Sequence, residues 1–282
     1  MATVIFFHAH PDDEAIATGG TMVSLAEQGH RVVLVTATGG ELGEVDDGFL
    51  DPGETLAERR AVELAAAAEV LGVDRQLFLG YEDSGMAGEP SAEREGCFAT
   101  VDVDEAAGRL ASILDEESAD VLVVYDERGG YGHPDHIQVH TVGMAAADRA
   151  GTPVVYMTTM DRDFFQDLRR SAAAAGVGLD DDLDDADDMG EPAERITTEV
   201  DVSPWVGAKR AAMRAHASQI AEDSFFLSMP DPMFAAAFGQ EWFIRVRPEP
   251  DGLGHGIRER HLVLDGAGRT LGGGAAPGKA AS

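Results

Sequence analysis

The segment Ala9–Glu14, with the sequence AHPDDE, concentrates side chains that could do chemistry near the start of the chain. One imidazole and three carboxylates crowd together there, and a bound cation would relieve the repulsion between the carboxylates. His10 and Asp13 are three residues apart, so on a turn both side chains can face one point. Histidine nitrogen and carboxylate oxygen suit zinc or ferrous iron. Asp12 would then stand beside the metal as a general base.

A purely structural role for the same acidic residues is the alternative. An apolar run that is typical of a buried strand precedes the motif, and a predicted helix, Ala15–Gln28, follows it. Asp12 or Asp13 could therefore cap that helix, with Glu14 in its first turn.

A second segment of similar design, Tyr131–His136 (YGHPDH), follows a predicted strand at Asp120–Tyr125 and precedes a predicted helix at Ile137–Arg149. Metal-assisted hydrolysis needs three protein ligands, an open position and a base. His10, Asp13 and His136 would supply the ligands.

The remaining residues of the two segments would assist the reaction. Asp12 would be the base, His133 would supply a cation for the developing oxyanion, and Asp135 would orient an imidazole. Two histidines and one carboxylate also describe the iron site of some oxygenases, and ligand type alone leaves both possibilities open.

Alternating apolar runs and helical patterns predict an α/β fold with a mostly parallel sheet, in which ligands bind at the carboxyl ends of the strands. The predicted strands are Thr3–His8, Arg31–Ala37, Leu77–Leu79, Asp120–Tyr125, Val154–Thr158 and Glu199–Val202. Long helices are predicted at Gly53–Leu71 and Val103–Ser118, and Ser203 is predicted to cap a further one. In the first of these, Leu56, Val62, Ala66 and Val70 are predicted to form the buried face.

A glycine-rich loop, Thr38–Glu44, follows the second predicted strand. Such a loop can bind a dinucleotide. Its spacing is G-G-x-x-G, and no clear helix start follows it. We therefore interpret it as a close turn that lines a polar pocket, and we expect no dinucleotide.

Composition limits the classes of partner. The 282 residues carry a formal net charge of 21 − 52 = −31, which argues against nucleic acid and anionic membranes. The acidity fits a salt-adapted organism or a high-GC genome. Cys97 is the only cysteine, so disulfides and a thiolate zinc site are excluded. No targeting or membrane-spanning segment is evident, and we expect a cytoplasmic protein.

We predict one domain over residues 1–265, with an acidic insertion at about 179–191. The Gly/Ala-rich tail, 266–282, is predicted to be disordered.

Taken together, AHPDDE near the start and GHPDH in the middle resemble the PIG-L (LmbE-like) family of N-acetyl sugar deacetylases. The resemblance extends from about Thr3 to Val246. The stretches GYEDSGM, YGHPDH and RAHASQI look most similar to the branch that contains the deacetylase of mycothiol synthesis and the mycothiol S-conjugate amidase.

The resemblance implies a Rossmann-like fold and a role for each matching residue. One divalent ion, zinc or ferrous iron, would be bound by His10, Asp13 and His136. Asp12 would be the general base, His133 the general acid and electrostatic stabiliser, and Asp135 would orient an imidazole. Tyr131 would help to hold the oxyanion, and Arg60 and Asp83 would contact sugar or cyclitol hydroxyls.

The expected reaction is metal-dependent hydrolysis of the acetamide of an N-acetylglucosaminyl compound, a small-molecule partner. One alternative is an amidase for larger acyl groups or S-conjugates. Another is a sugar- or metal-binding protein without catalysis, although Asp12 and His133 argue against it. In a salt-adapted organism the substrate could be a different N-acetylglucosaminyl compound. The oligomeric state is left open.

Overall fold

A seven-stranded sheet forms the centre of the protein. The computed structural model describes residues 1–174, 189–249 and 258–263. The strands are β1 (Thr3–His8), β2 (Arg31–Thr38), β3 (Arg75–Tyr81), β4 (Val121–Tyr125), β5 (Val154–Thr159), β6 (Thr198–Asp201) and β7 (Gln240–Arg247). Their order is β3-β2-β1-β4-β5-β7-β6.

The sheet is mostly parallel, as the sequence predicts. β1 to β5 pair in parallel, whereas β7 runs antiparallel to both β5 and β6. The chain leaves β1 toward β2 on one side and returns to β4 on the other. Ligands of open α/β sheets bind at such a reversal of strand order, outside the carboxyl ends of the strands. His10 and His136 follow β1 and β4, the two strands that meet there.

Helices cover both faces of the sheet. They are α1 (Asp13–Ala17), α2 (Gly19–Glu27), α3 (Leu56–Leu71), α4 (Val103–Glu116), the short α5 (Gly129–Gly132), α6 (Pro134–Ala150), α7 (Arg162–Ala174), α8 (Val206–Ala215), α9 (Phe225–Ser228) and α10 (Asp231–Phe238). Side chains alternate along β1, so Val4 and Phe6 pack on one face and Ile5 and Phe7 on the other. The first face carries α2, α3 and α8, and the second carries α4 and α6.

The helix predicted at Ala15–Gln28 is divided in two at Thr18. The second part is α2. In its first turn, the backbone N–H groups of Gly20 and Thr21 both donate to the Glu241 carboxylate at 2.9 Å. Glu241 lies on β7 and pairs with the buried Lys209 of α8. A residue of a distant strand therefore accepts hydrogen bonds from the backbone donors at the start of α2. The local sequence does not reveal this contact.

Other predictions about the elements need correction or lie outside the described residues. Ser203 does not cap a helix through its side chain, because it lies inside a 3₁₀ turn, Ser203–Trp205, that precedes α8. The predicted tail falls outside the described residues, as does 179–188 of the predicted insertion. The single domain and the cytoplasmic location stay predictions. No helix among the described residues is long and apolar enough to cross a membrane.

Candidate active site

Loops from separate strands bring His10, Asp83 and Asp135 together at the carboxyl edge of the sheet. His10 follows β1, Asp83 follows β3, and Asp135 lies at the start of α6 after β4. His10 Nε2 lies 3.1 Å from Asp135 Oδ2 and 3.5 Å from Asp83 Oδ1. All three side chains are buried. The two segments singled out in the sequence therefore meet in one site.

The Asp13 carboxylate spans two imidazoles. Its Oδ2 lies 3.4 Å from His10 Nδ1, and its Oδ1 lies 3.3 Å from His136 Nε2. Burial opposes ionisation of Asp13, but the neighbouring His136 and His10 hold its pKa well below the usual range. Burial also opposes charge on His10, yet hydrogen bonds to Asp13, Asp135 and Asp83 raise its pKa well above the usual value. The geometry thus places one ionised carboxylate between two potential nitrogen ligands.

His136 is oriented as a ligand would be. Its Nδ1 lies 3.2 Å from the Gly129 carbonyl oxygen, and its buried Nε2 has no hydrogen-bond partner in the described part of the chain. Metal-binding histidines commonly fix one nitrogen on a carbonyl or carboxylate and leave the other for the ion. His10 has the same arrangement if Asp135 holds its Nε2 and Nδ1 faces the ion.

The described residues contain donor sets that could hold one metal ion. One possible atom from each of His10, His133 and His136 lies within 4.8 Å of the others, and the same holds for His10, Asp83, His133 and Asp135. The ligand set predicted from the sequence is His10, Asp13 and His136. It differs from the first of these donor sets in that Asp13 replaces His133. Buried imidazole and carboxylate donors fit a divalent ion such as zinc.

Asp12 occupies the N-cap position of α1 but does not cap the helix through its side chain. It precedes α1, but its side chain makes no capping hydrogen bond, so the capping hypothesis is wrong for this residue. Its φ of 110° is uncommon for a residue other than glycine, and such backbone strain costs about 1–3 kcal/mol. Its Oδ2 accepts a hydrogen bond from Arg60 at 3.2 Å. Burial raises the pKa of Asp12 to about 6, the range in which a general base is most effective.

Arg60 and Asp83, which the family resemblance assigns to substrate contact, border the same site from α3 and from the loop after β3. Arg60 is buried and also donates to the carbonyl oxygens of Gly40 and Pro11. Asp83 accepts from the backbone N–H groups of Leu42 and Gly85 at 3.2 and 2.8 Å. The glycine-rich loop after β2 therefore helps to line the site, as the sequence predicts.

His133 and Tyr131 also lie in the site at the carboxyl edge of the sheet. His133 caps α6, with its Nδ1 accepting from the Asp135 N–H at 3.1 Å, so a neutral His133 carries its proton on Nε2. Burial and the neighbouring imidazoles of His10 and His136 lower the pKa of His133 to about 4. Tyr131 remains 50% exposed, and its ring centroid lies 4.9 Å from that of His136.

Asp135 is fully buried, and both of its oxygens are engaged. Oδ1 accepts from the Ser84 hydroxyl, and Oδ2 accepts from the Ser84 N–H at 3.0 Å beside His10 Nε2. The imidazole that Asp135 orients through its carboxylate is thus that of His10.

Comparison with known proteins places this site in a family. The PIG-L family model, described as GlcNAc-PI de-N-acetylase, matches residues 5–147. A 1D-myo-inositol 2-acetamido-2-deoxy-alpha-D-glucopyranoside deacetylase of Streptomyces griseus is 42% identical over 97% of this chain and 92% of its own. The chain belongs to the PIG-L family. An identically named deacetylase of Acidothermus cellulolyticus is 40% identical over 93% of this chain and 94% of its own.

Solved structures share the fold of this chain. An N,N'-diacetylchitobiose deacetylase from Pyrococcus horikoshii superposes with a TM-score of 0.54 at 21% identity, over 88% of this chain and 87% of its own. A 4-carboxy-2-hydroxymuconate hydratase from Pseudomonas putida gives 0.55 at 19% identity, over 89% and 98%. The same fold thus carries a different reaction, so the fold alone does not identify the activity.

Two residues of this PIG-L site had no functional role in the sequence interpretation. Glu14, treated only as a first-turn acid, is fully buried and meets the equally buried His216, with Oε1 and Nε2 2.6 Å apart. Burial opposes charge on His216, but Glu14 raises its pKa. His216 lies within the RAHASQI stretch that supported the family resemblance, and this was the only available signal.

Proposed function

We propose that this protein is an N-deacetylase that releases acetate from 1D-myo-inositol 2-acetamido-2-deoxy-α-D-glucopyranoside. One observation supports this most strongly: relatives named for that reaction are 42% and 40% identical over 97% and 93% of this chain. A hydratase has the same fold, so the fold alone does not support this activity. The proposal depends on the sequence identity over nearly the full length of the chain.

The metal is proposed to be one zinc ion, with ferrous iron as the alternative, bound by His10, Asp13 and His136. Two features support this set over one that uses His133: Asp13 lies between both imidazoles, and His136 Nε2 has no hydrogen-bond partner among the described residues. His133 Nδ1 already accepts a backbone hydrogen bond. When bound, the ion would act as a Lewis acid that polarises the acetamide carbonyl and lowers the pKa of water.

The protein's own side chains then have separate tasks. Asp12 would accept the proton of the attacking water, with Arg60 holding its carboxylate. His133 would donate a hydrogen bond from Nε2 to the oxyanion, a role that its lowered pKa favours because the ring is neutral at pH 7. The Tyr131 hydroxyl would assist it. The lowered pKa argues against the cationic His133 expected from the sequence, and a general-acid role for it stays a prediction. The proton that Asp12 takes from the water would then pass to the departing amine.

Arg60 and Asp83 are proposed to contact the hydroxyls of the sugar or the cyclitol. Arg60 lies on α3 and donates to Asp12, and Asp83 lies on the loop after β3 beside His10. This arrangement would bind the glycoside beside the proposed base.

Acetate release tests the proposal directly. Metal-loaded protein is incubated with the inositol glycoside, free N-acetylglucosamine, N,N'-diacetylchitobiose and an S-conjugate amide, and free amine is measured beside acetate. We expect the inositol glycoside to give the highest kcat/KM. Preference for the S-conjugate would establish the amidase alternative, whereas binding without release from any compound would establish a non-catalytic protein.

A further inference from the structure

The backbone of Asp12 is held by a specific partner. Its φ of 110° is a conformation that few residues other than glycine adopt, so neighbouring contacts must maintain it. The Asp12 N–H donates to Glu14 Oε2 at 3.0 Å. Arg60 holds the carboxylate end of the same residue. The proposed base is therefore fixed at both ends, and Glu14 supplies the backbone contact.

Glu14 depends in turn on His216. The Glu14 side chain is fully buried and divides its oxygens, with Oε2 on the Asp12 N–H and Oε1 at 2.6 Å from His216 Nε2. A buried carboxylate is costly unless it is paired, and removal of one partner leaves an uncompensated charge. Without His216, Glu14 would lose the contact that keeps its second oxygen directed at Asp12.

His216 comes from a distant part of the chain that is anchored independently. It follows α8, and its carbonyl oxygen accepts from the N–H of Ile220, which closes a turn. Within this turn, the N–H and hydroxyl of Ser218 donate to the buried Glu63 of α3 at 2.8 and 2.6 Å. The turn thus makes two contacts. His216 binds Glu14, which in turn binds Asp12, and Ser218 anchors the turn on α3.

We propose that His216 is a positioning residue for the deacetylation, acting through Glu14 to hold the backbone of Asp12 in its positive-φ conformation. This inference rests on the proposed function only for its kinetic consequence. The conformational link itself concerns the chain alone. His216 touches neither the substrate nor the reacting atoms in this role.

The first test is a double-mutant comparison of His216→Ala and Asp12→Asn in the metal-loaded enzyme. Small displacements of a catalytic group cost up to about 10²-fold in rate, so we expect His216→Ala to lower kcat by roughly 10–10²-fold. KM should change little. In the Asp12→Asn background the same change should lower kcat less than about three-fold, because residues acting as a unit are not additive.

Two variants separate positioning from general loosening. Ser218→Ala removes a buried hydrogen bond from the same turn but leaves Glu14 paired, so its kcat should stay near the parent value even if its melting temperature falls. His216→Gln retains an N–H donor and should recover most of the activity. If His216→Ala does not fold, Glu14→Leu carries the test, because it breaks the same link without leaving a buried charge.

A crystal structure of the variant keeps the inference independent of the substrate assignment. We expect the Asp12 φ in His216→Ala to leave the positive region, or its N–H to lose Glu14. An unchanged Asp12 and Glu14 would overturn the proposal whatever the activity. So would equal kcat losses in the parent and Asp12→Asn backgrounds. Failure of the parent to release acetate from any glycoside would instead overturn the proposed function.

Discussion

Replacement of Asp12 by Asn separates the chemistry of this residue from its structural contacts. Asn is among the few residues that tolerate positive φ, so it fits the backbone at 110°. Its carbonyl oxygen can still accept from Arg60, which also remains bound to the Gly40 and Pro11 carbonyls. What the amide cannot do is accept the proton of an attacking water.

The expected loss follows from that single deficit. A positioned general base contributes about 10²–10⁴-fold in rate, or roughly 2.7–5.4 kcal/mol at 1.36 kcal/mol per factor of ten. Stability should not fall. Burial raises the pKa of Asp12 from 3.8 to about 6, so the ionised carboxylate disfavours the folded state above that pH. Asn removes this penalty, and the melting temperature at pH 7.5 should be unchanged or higher.

The assay is acetate release at saturating substrate, with metal content and melting temperature measured on the same samples. Asp46→Asn is the matched control, because Asp46 is exposed in the loop after β2. We expect full metal occupancy, parental KM and the stated loss of kcat for Asp12→Asn alone. Turnover within a few-fold of the parent at full occupancy would mean that the base lies elsewhere.

Three further outcomes are expected. His136→Ala should lose most of the bound metal by elemental analysis, whereas His140→Ala, whose Nδ1 faces a backbone carbonyl, should retain it. Because a charge of −31 repels itself, the melting temperature should rise from dilute buffer to molar KCl, and a flat curve would contradict this. Gly20→Ala places a Cβ 2.5 Å from Val202 Cβ and should cost roughly 1–2 kcal/mol in urea unfolding, while Gly207→Ala meets open space and should cost nothing.

Six of the seven strands were predicted, most of them as short apolar runs with clear ends, whereas β7 was not. β1 was predicted at about Thr3–His8, and the strand has these bounds. The two histidine-containing motifs follow β1 and β4, and ligands of open α/β sheets bind outside the carboxyl ends of the strands, so the sequence predicts that the motifs lie together. The start of α3 carried a usable signal that was missed. Thr55 and Glu58 form a capping box, which fixes the helix start at Leu56 instead of Gly53.

The buried face of α3 was predicted correctly at Leu56 and wrongly at the other three positions. Val62 is 67% exposed and Val70 and Ala66 are exposed, whereas Leu64, Ala67 and Leu71 are buried. This helix is rich in alanine, so apolar spacing alone does not define one face. The buried side also includes Arg60 and Glu63, whose partners lie on other segments of the chain.

Partnerships such as Glu14 with His216 could not be predicted from local pattern. The two residues are separated by 202 positions, and Gly20 and Glu241 by 221. Glu14, His216 and Glu241 are polar residues that the sequence alone would place on the surface, and Gly20 contributes only its backbone N–H. Only the tertiary fold buries both members of a pair together.

These separations have a consequence for how the protein is made. Chains emerge from the ribosome at about 5–20 residues per second, and contacts between distant segments form late. β1 to β5 and every proposed metal ligand lie before residue 160, so the parallel sheet can assemble while the rest is still being translated. Glu14 and the start of α2 have no partners until α8 and β7 arrive. The proposed ligands are therefore synthesised before the segments that supply the partners of Glu14 and of the start of α2.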